Sequence, residues 1–390
     1  MTSIHDSSPY VKAQTQHSDT DARSKHFYHP EIDILRFFAF IMVFFHHALP
    51  QDAQTYLHAG LSKEVSAWAS SIVLSGGLGV DLFFVLSSFL ITELFIREYN
   101  KYGRVNVLAF YIRRALRIWP LYYGFLVLVI FLIPVSISGY LDGRYKATFA
   151  LFAANWACTL WGYPPSIAAH LWSVSIEEQF YFMWPLIIIV FGIKRLSQVA
   201  VTMLVLATAT RLFLILIEVK HPGIWCNTFA RLDPIASGAL LAVILRGDSP
   251  RISSLKRVAV FLVGITLLVV ASRYAQPWGT SSLLFYPATA LGSILVLISC
   301  LSRAYVNKNY LSKTLIYFGR ISYGLYVFHL LALVIATKLF TNGHASFDLV
   351  GKCAFGFILT VLISVGSYEL FEKYFLRLKE RFSRIPSRPT

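Results

Sequence analysis

A chain of 390 residues would ordinarily make two or three soluble domains, but this one is 56% hydrophobic and only 14% charged, where soluble domains carry about 25% charge. Its mean hydropathy is +0.60, and apolar runs long enough to cross a bilayer recur from residue 31 onward, which excludes a soluble fold. The net charge of +15 resides mostly in Lys and Arg between those runs, a pattern that orients membrane proteins and argues against a nucleic-acid partner.

Residues 1–30 are polar, with no apolar core and no small-residue cleavage site. They read as a disordered cytoplasmic tail rather than a cleavable signal peptide, with the first apolar helix as its own targeting signal. A membrane domain is expected over 31–375 and a basic cytoplasmic tail over 376–390. Spans are expected at 32–50, 71–96, 116–137, 171–193, 198–219, 232–246, 257–272, 281–302, 321–340 and 350–372. Residues 147–161 are too short to cross and suit a re-entrant or interfacial segment. With that segment not crossing, roughly 25 Lys and Arg fall on the cytoplasmic side against roughly 7 outside. If it crosses, the bias is lost. The expected fold is therefore an all-α integral membrane protein of about ten transmembrane helices, both termini cytoplasmic, with 138–170 external. Cys158, Cys226, Cys300 and Cys353 show no CxxC spacing, so they read as buried thiols, and no metal site is expected.

Ionisable groups within a bilayer are costly and point to function. The first span, EIDILRFFAFIMVFFHHALP, carries Asp33, Arg36, His46 and His47. Arg36 and His47 lie eleven positions apart, about three turns, and so share a face from which His46 is rotated. His47 suits a general base, although both histidines also suit an interfacial position. The second span, GGLGVDLFFVLSSFLITELF, places Asp81 inside the membrane behind Gly76, Gly77 and Gly79, which permit close backbone approach. Asp81 fits an acid orienting an imidazole or binding a hydroxyl, and equally a structural partner for another helix.

Arg113, Arg114 and Arg117 cluster in FYIRRALRIWPLYY. They could dock phosphates or merely anchor the chain. In HLWSVSIEEQFYFMWPL, residues 170–186, Ser173, Glu177 and Tyr181 form an i, i+4, i+8 stripe, while Glu178 points about 100° away. A carboxylate there could polarise a histidine or hold sugar hydroxyls, and Trp172 and Tyr181 could stack on a sugar or a pantetheine arm. Weaker candidates are Arg231 and Asp233 in FARLDPIASGALLA, and His329 with Ser322 and Tyr326 in GRISYGLYVFHLLAL. A structural histidine also fits position 329.

In this order the segments resemble acyltransferase family 3, the membrane acyltransferases of O-antigen, other glycans and some macrolides. The resemblance covers 31–375 and rests on Arg36–ten residues–His47, GVDLFFVLSSFLI, RRALRIWPLYY and HLWSVSIEEQFYFMWPL. Ser88 stands where the family often has Gly. The resemblance implies transfer of an acyl group, most often acetyl, from acyl-CoA as co-substrate to a hydroxyl of a cell-surface glycan or related compound. It implies no tightly bound cofactor and a place in the inner (cytoplasmic) membrane; some relatives carry a C-terminal esterase-like domain, and none is expected here because the chain ends soon after the last span. By the same resemblance His47, Glu177 and Asp81 would be catalytic, with Glu177 favoured over Glu178. Arg36, Trp172, Ser173, Glu178, Tyr181, Arg231, Asp233 and His329 would line the substrate site, and Arg113, Arg114 and Arg117 would hold coenzyme A. A multi-span transporter and a membrane sensor remain competing readings, the transporter weakened by the lack of an internal repeat.

Overall fold

A computed structural model describes residues 28–248, 250, 252–301, 309–340 and 345–382. The expectations for the tails over 1–27 and 383–390 fall outside the described residues. Among those described, every regular element is helical. Eight stretches are long and apolar enough to cross a membrane. The main helices are α1 (Pro30–Ala48), α2 (Lys63–Ser75), α3 (Gly79–Tyr102), α4 (Val107–Val127), α5 (Trp172–Phe191), α6 (Leu196–Leu216), α7 (Leu232–Leu245), α8 (Ser254–Tyr274), α9 (Ser282–Cys300), α10 (Ser322–Leu339) and α11 (Ala345–Ser367).

Eight rather than ten stretches meet the length and composition requirement because two of the expected spans are atypical. Helix α1 carries Glu31, Asp33 and Arg36 within its 19 residues. Helix α7 has only 14 residues, about 21 Å of rise. Both are enclosed by neighbours: α1 packs on α3, α10 and Tyr310–Arg320, and α7 on α3, α6 and α9. Pro30 and the acids in the first turn of α1 suit a helix start, where a missing N–H costs nothing and the dipole favours negative charge.

The expected span at 71–96 is longer than foreseen. Helices α2 and α3 join through a 3₁₀ turn at Gly76–Leu78 into one stretch, Lys63–Tyr102. Close approach to α1 explains the glycines there: a Cβ on Gly79 would lie 2.3 Å from the Ala39 carbonyl oxygen, and one on Gly76 2.4 Å from that of Met42. With 83% of its apolar stretch buried, this helix is the bundle's axis, whereas α8 and α11, at 17%, are peripheral. Peripheral residues such as Leu206, Phe213, Leu255, Leu284 and Leu362 are exposed, an outward apolar surface that lipid would cover.

Residues 147–161 form no single helix long enough to cross. They fold into two short helices, Gly143–Ala150 and Ala154–Trp161, broken where Phe152 takes a left-handed φ of 52°. This hairpin dips into the bundle. Gln179, two turns into α5, donates to the Phe152 carbonyl at 2.9 Å and to Asn155 Oδ1 at 2.8 Å, while Thr228 donates to Gln179 at 2.6 Å. Irregular backbone at membrane depth is tolerated where protein satisfies it in this way. The antiparallel run of helices sets two ends. Pro30, Tyr102, Val107 and Phe191 mark the near end, and Ala48, Trp172, Tyr274 and Ser282 the far end.

Candidate active site

Polar side chains converge on two cavities, one toward each end. The near cleft, of about 70 Å³, is lined by Arg36 of α1, Ser87 of α3, Arg114 and Arg117 of α4, Ser173, Glu177 and Tyr181 of α5, and Ser322, Tyr323 and Tyr326 of α10. The stripe expected on α5 is thus assembled. Glu177 accepts from Ser87 Oγ at 3.0 Å and from Tyr181 hydroxyl at 3.1 Å. The Arg114 guanidinium lies 5.2 Å from the Tyr181 ring centroid.

The arginine cluster divides. Arg114 and Arg117, three residues apart, face the cleft. Arg113 is turned away, and its Nη1 donates to the Phe382 carbonyl at 2.7 Å, fastening the C-terminal helix Lys373–Glu380 against α4. Glu178 also leaves the stripe: its Oε2 accepts from Trp119 Nε1 at 2.9 Å.

The far chamber, of about 510 Å³, is lined by His46, His47, Gln51, His170, Trp172 and Trp225, with Tyr163, His221, Gln276 and Trp278 among the others. None of its described lining residues is Asp, Glu, Lys or Arg. At its mouth Trp278 stacks edge-on against His221, centroids 4.9 Å apart, and partial burial holds His221 below its ordinary imidazole pKa. Aromatic walls with a few amides suit a neutral, hydroxyl-bearing ligand.

Three imidazoles meet beside this chamber. His329 Nε2 lies 3.3 Å from His47 Nδ1, and the His170 and His329 ring centroids are 5.0 Å apart. Each ring offers Nδ1 to a backbone carbonyl: His47 to Val43 at 2.9 Å, His170 to Ile167 at 2.8 Å and His329 to Tyr326 at 2.6 Å. A carbonyl only accepts, so in the neutral rings the proton sits on Nδ1 and the lone pair on Nε2. In His47 that leaves Nε2 as a base with no described hydrogen-bond partner. His46 is not turned away from the chamber as helical phase alone implied. It lines the same space, but both its nitrogens are engaged, Nδ1 with the Val73 carbonyl at 3.0 Å and Nε2 with Gln51 at 3.3 Å.

Among the described residues no carboxylate is bonded to this cluster. Glu177 is in the other cavity, bonded to Ser87 and Tyr181. Asp81 is fully buried and pairs with Arg231 Nη2 at 3.1 Å. Arg231 is enclosed by aromatic rings, 4.0 Å from Trp225 and 5.7 Å from Trp172, so this ion pair backs two walls of the far chamber. Asp233 does not join it and takes a two-pronged bond from Arg211 of α6. Arg36 and His47 share a helix face, but eleven residues separate them by about 16 Å, and they serve different cavities.

Sequence reasoning missed Arg211 and His170, and it named Tyr326 without a role. Arg211, the one Lys or Arg in the expected span 198–219, carried the signal of an ionisable group at membrane depth. His170 heads the motif whose carboxylates drew attention. Tyr326 lines both cavities, which no spacing rule discloses.

Fold and site together define a multi-pass membrane protein with a cationic cleft and an aromatic, imidazole-bearing chamber. The model of an acyltransferase domain matches residues 29–369. The chain is 27% identical over 337 residues to the peptidoglycan O-acetyltransferase OatA of Listeria monocytogenes, covering 80% of this chain and 50% of that protein. It is 27% identical over 375 residues to the O-acetyltransferase OatA of Staphylococcus aureus, covering 88% of this chain and 57% of that one. The chain thus spans about half the length of the curated relatives it matches. No solved structure matches it significantly. The chain belongs to acyltransferase family 3.

Proposed function

We propose that this protein is a membrane O-acetyltransferase of the cell envelope, moving an acetyl group from acetyl-CoA to a hydroxyl of a glycan. The observation that carries the reading is the pairing of two unlike cavities on one bundle, one with three arginines and the other with a free imidazole base. In this reading about ten helices cross the inner (cytoplasmic) membrane, with both termini cytoplasmic and 138–170 external. The near end then faces the cytoplasm, the source of acyl-CoA. Family membership and the names of the relatives support the activity.

Arg114 and Arg117 would take coenzyme A phosphates, for which a guanidinium fork is suited. Glu177, set among Arg36, Arg114 and two hydroxyls, would accept from the amide N–H groups of the pantetheine arm. In the far chamber His47 Nε2 takes the proton of the acceptor hydroxyl as its oxygen attacks the thioester carbonyl. The carbon–oxygen bond forms, the carbon–sulfur bond breaks, and the thiolate leaves to be protonated. The charge gained by His47 is spread to the Val43 carbonyl and His329 Nε2 through Nδ1–H.

The test is label transfer in proteoliposomes. Acetyl-labelled acetyl-CoA, supplied at the near face, should label an envelope glycan presented at the far face. Mass spectrometry of glycans from cells with and without the gene identifies the acceptor. Wild-type protein that binds glycan but never consumes acetyl-CoA would refute the reading.

A further inference from the structure

Tyr326 lies between the two cavities and lines both, as does Val80. It sits one turn into α10 and is 7% exposed. Its hydroxyl is tied at its tip: it donates to the His170 carbonyl at 2.9 Å and lies 2.6 Å from Ser173 Oγ. With the phenolic proton given to the carbonyl, the short second contact has Ser173 donating to the phenol oxygen. His170 lies in the 3₁₀ turn Ala169–Leu171 that leads into α5, and Ser173 in the first turn of α5. The ring meets Phe83, with centroids 6.2 Å apart, and His170, at 5.2 Å. The same residue's carbonyl holds His329 Nδ1, so the wall between the cavities also braces the imidazole cluster.

A thioester held in the near cleft must pass this wall to reach His47. Helix α10 need not move for that. Rotation of one aromatic side chain about χ1, after its hydroxyl leaves Ser173 and His170, would join the cavities.

We propose that Tyr326 is a positioning residue of the transfer reaction, a latched partition whose phenol, pinned to Ser173 and the His170 carbonyl, keeps the acyl donor apart from the acceptor chamber until the two cavities connect. The partition holds water away from the thioester, so transfer to a glycan hydroxyl outruns hydrolysis. In hydrolysis a water oxygen replaces the glycan oxygen at the same carbonyl carbon, with the same thiolate leaving. The latch rests on the donor and acceptor roles proposed above for its purpose, but not for its geometry.

The experiment is therefore built on access as well as activity. A reporter cysteine, Leu74→Cys, is placed in the far-chamber wall, and sealed vesicles receive a membrane-impermeant maleimide at one face or the other. The same chain without the reporter subtracts the native thiols. With Tyr326 and Ser173 intact, the reporter should label from one face only. Tyr326→Phe, which removes both tethers, should raise labelling from the second face at least tenfold; Ser173→Ala, which leaves the bond to the His170 carbonyl, should raise it less, and the double variant should add little to Tyr326→Phe, in which the Ser173 contact is already gone. Acetyl-CoA hydrolysis measured without acceptor should rise in the same variants, relative to transfer measured with acceptor present. Ser173→Ala keeps the test open should Tyr326→Phe fail to fold. Labelling from one face only in both variants would overturn the partition. A labelling change in a protein that never turns over acetyl-CoA would instead sink the donor–acceptor reading and leave the partition standing.

Discussion

The His47–His329 contact makes a graded prediction about catalysis. His47→Ala removes the base, and loss of a general base costs about 10²–10⁴-fold in kcat, or about 2.7–5.4 kcal/mol. His329→Leu leaves the base but removes one of the two acceptors of its Nδ1–H. The acceptor that stays, the Val43 carbonyl at 2.9 Å, is closer than the one lost at 3.3 Å. A neutral hydrogen bond contributes about 0.5–1.5 kcal/mol net, so His329→Leu should lower kcat only about 2- to 13-fold. His329→Gln, which can restore an acceptor oxygen, should recover part of that loss. KM for acetyl-CoA should be unchanged throughout, because neither histidine lines the near cleft. The assay is acetyl transfer in proteoliposomes, with detergent gel filtration to confirm folding. A folded His47→Ala protein retaining a third or more of wild-type kcat would refute the general-base role.

The remaining predictions concern the charges, the second histidine and topology. Arg114→Lys with Arg117→Lys should raise KM for acetyl-CoA more than it lowers kcat, while Arg113→Lys should leave KM near wild type, because only the first two face the cleft; equal effects from all three would argue for plain anchoring. Asp81→Ala should destabilise the protein by about 3–5 kcal/mol by leaving Arg231 buried and uncompensated, whereas Asp81→Ala with Arg231→Met should be milder; thermal unfolding in detergent measures both. His46→Ala should slow transfer less than His47→Ala, since its nitrogens serve the Val73 carbonyl and Gln51; equal losses in the kinetic assay would contradict this. Cysteines placed in 162–168 and at Arg104 should label from opposite faces of the membrane, and labelling from the same face would overturn the ten-span arrangement.

Much of the fold was legible because a bilayer imposes a one-dimensional constraint. Each span must be helical and apolar over a set length, so composition alone located α5, α6, α8, α9 and α10 closely. The short length of 147–161 likewise signalled a segment without one long helix, and it folds as parts of two eight-residue helices. Local periodicity also gathered Ser173, Glu177 and Tyr181 on one stripe and reserved Gly76 and Gly79 for close contact, since both are properties of a single helix and its nearest neighbour. What the linear sequence could not decide is which stripe faces which. Arg36 and His47 share a face yet serve different cavities, because a helix crossing a membrane presents that face to two ends of the bundle. Asp81 answers Arg231 across 150 positions of chain, and Asp233 answers Arg211 on the preceding helix rather than joining Arg231 beside it. The meeting of His47, His170 and His329, and the place of Tyr326 between the cavities, depend on how α1, α5 and α10 lean together. Those are side-chain packing distances between elements 120 to 280 positions apart, and only the tertiary structure sets them.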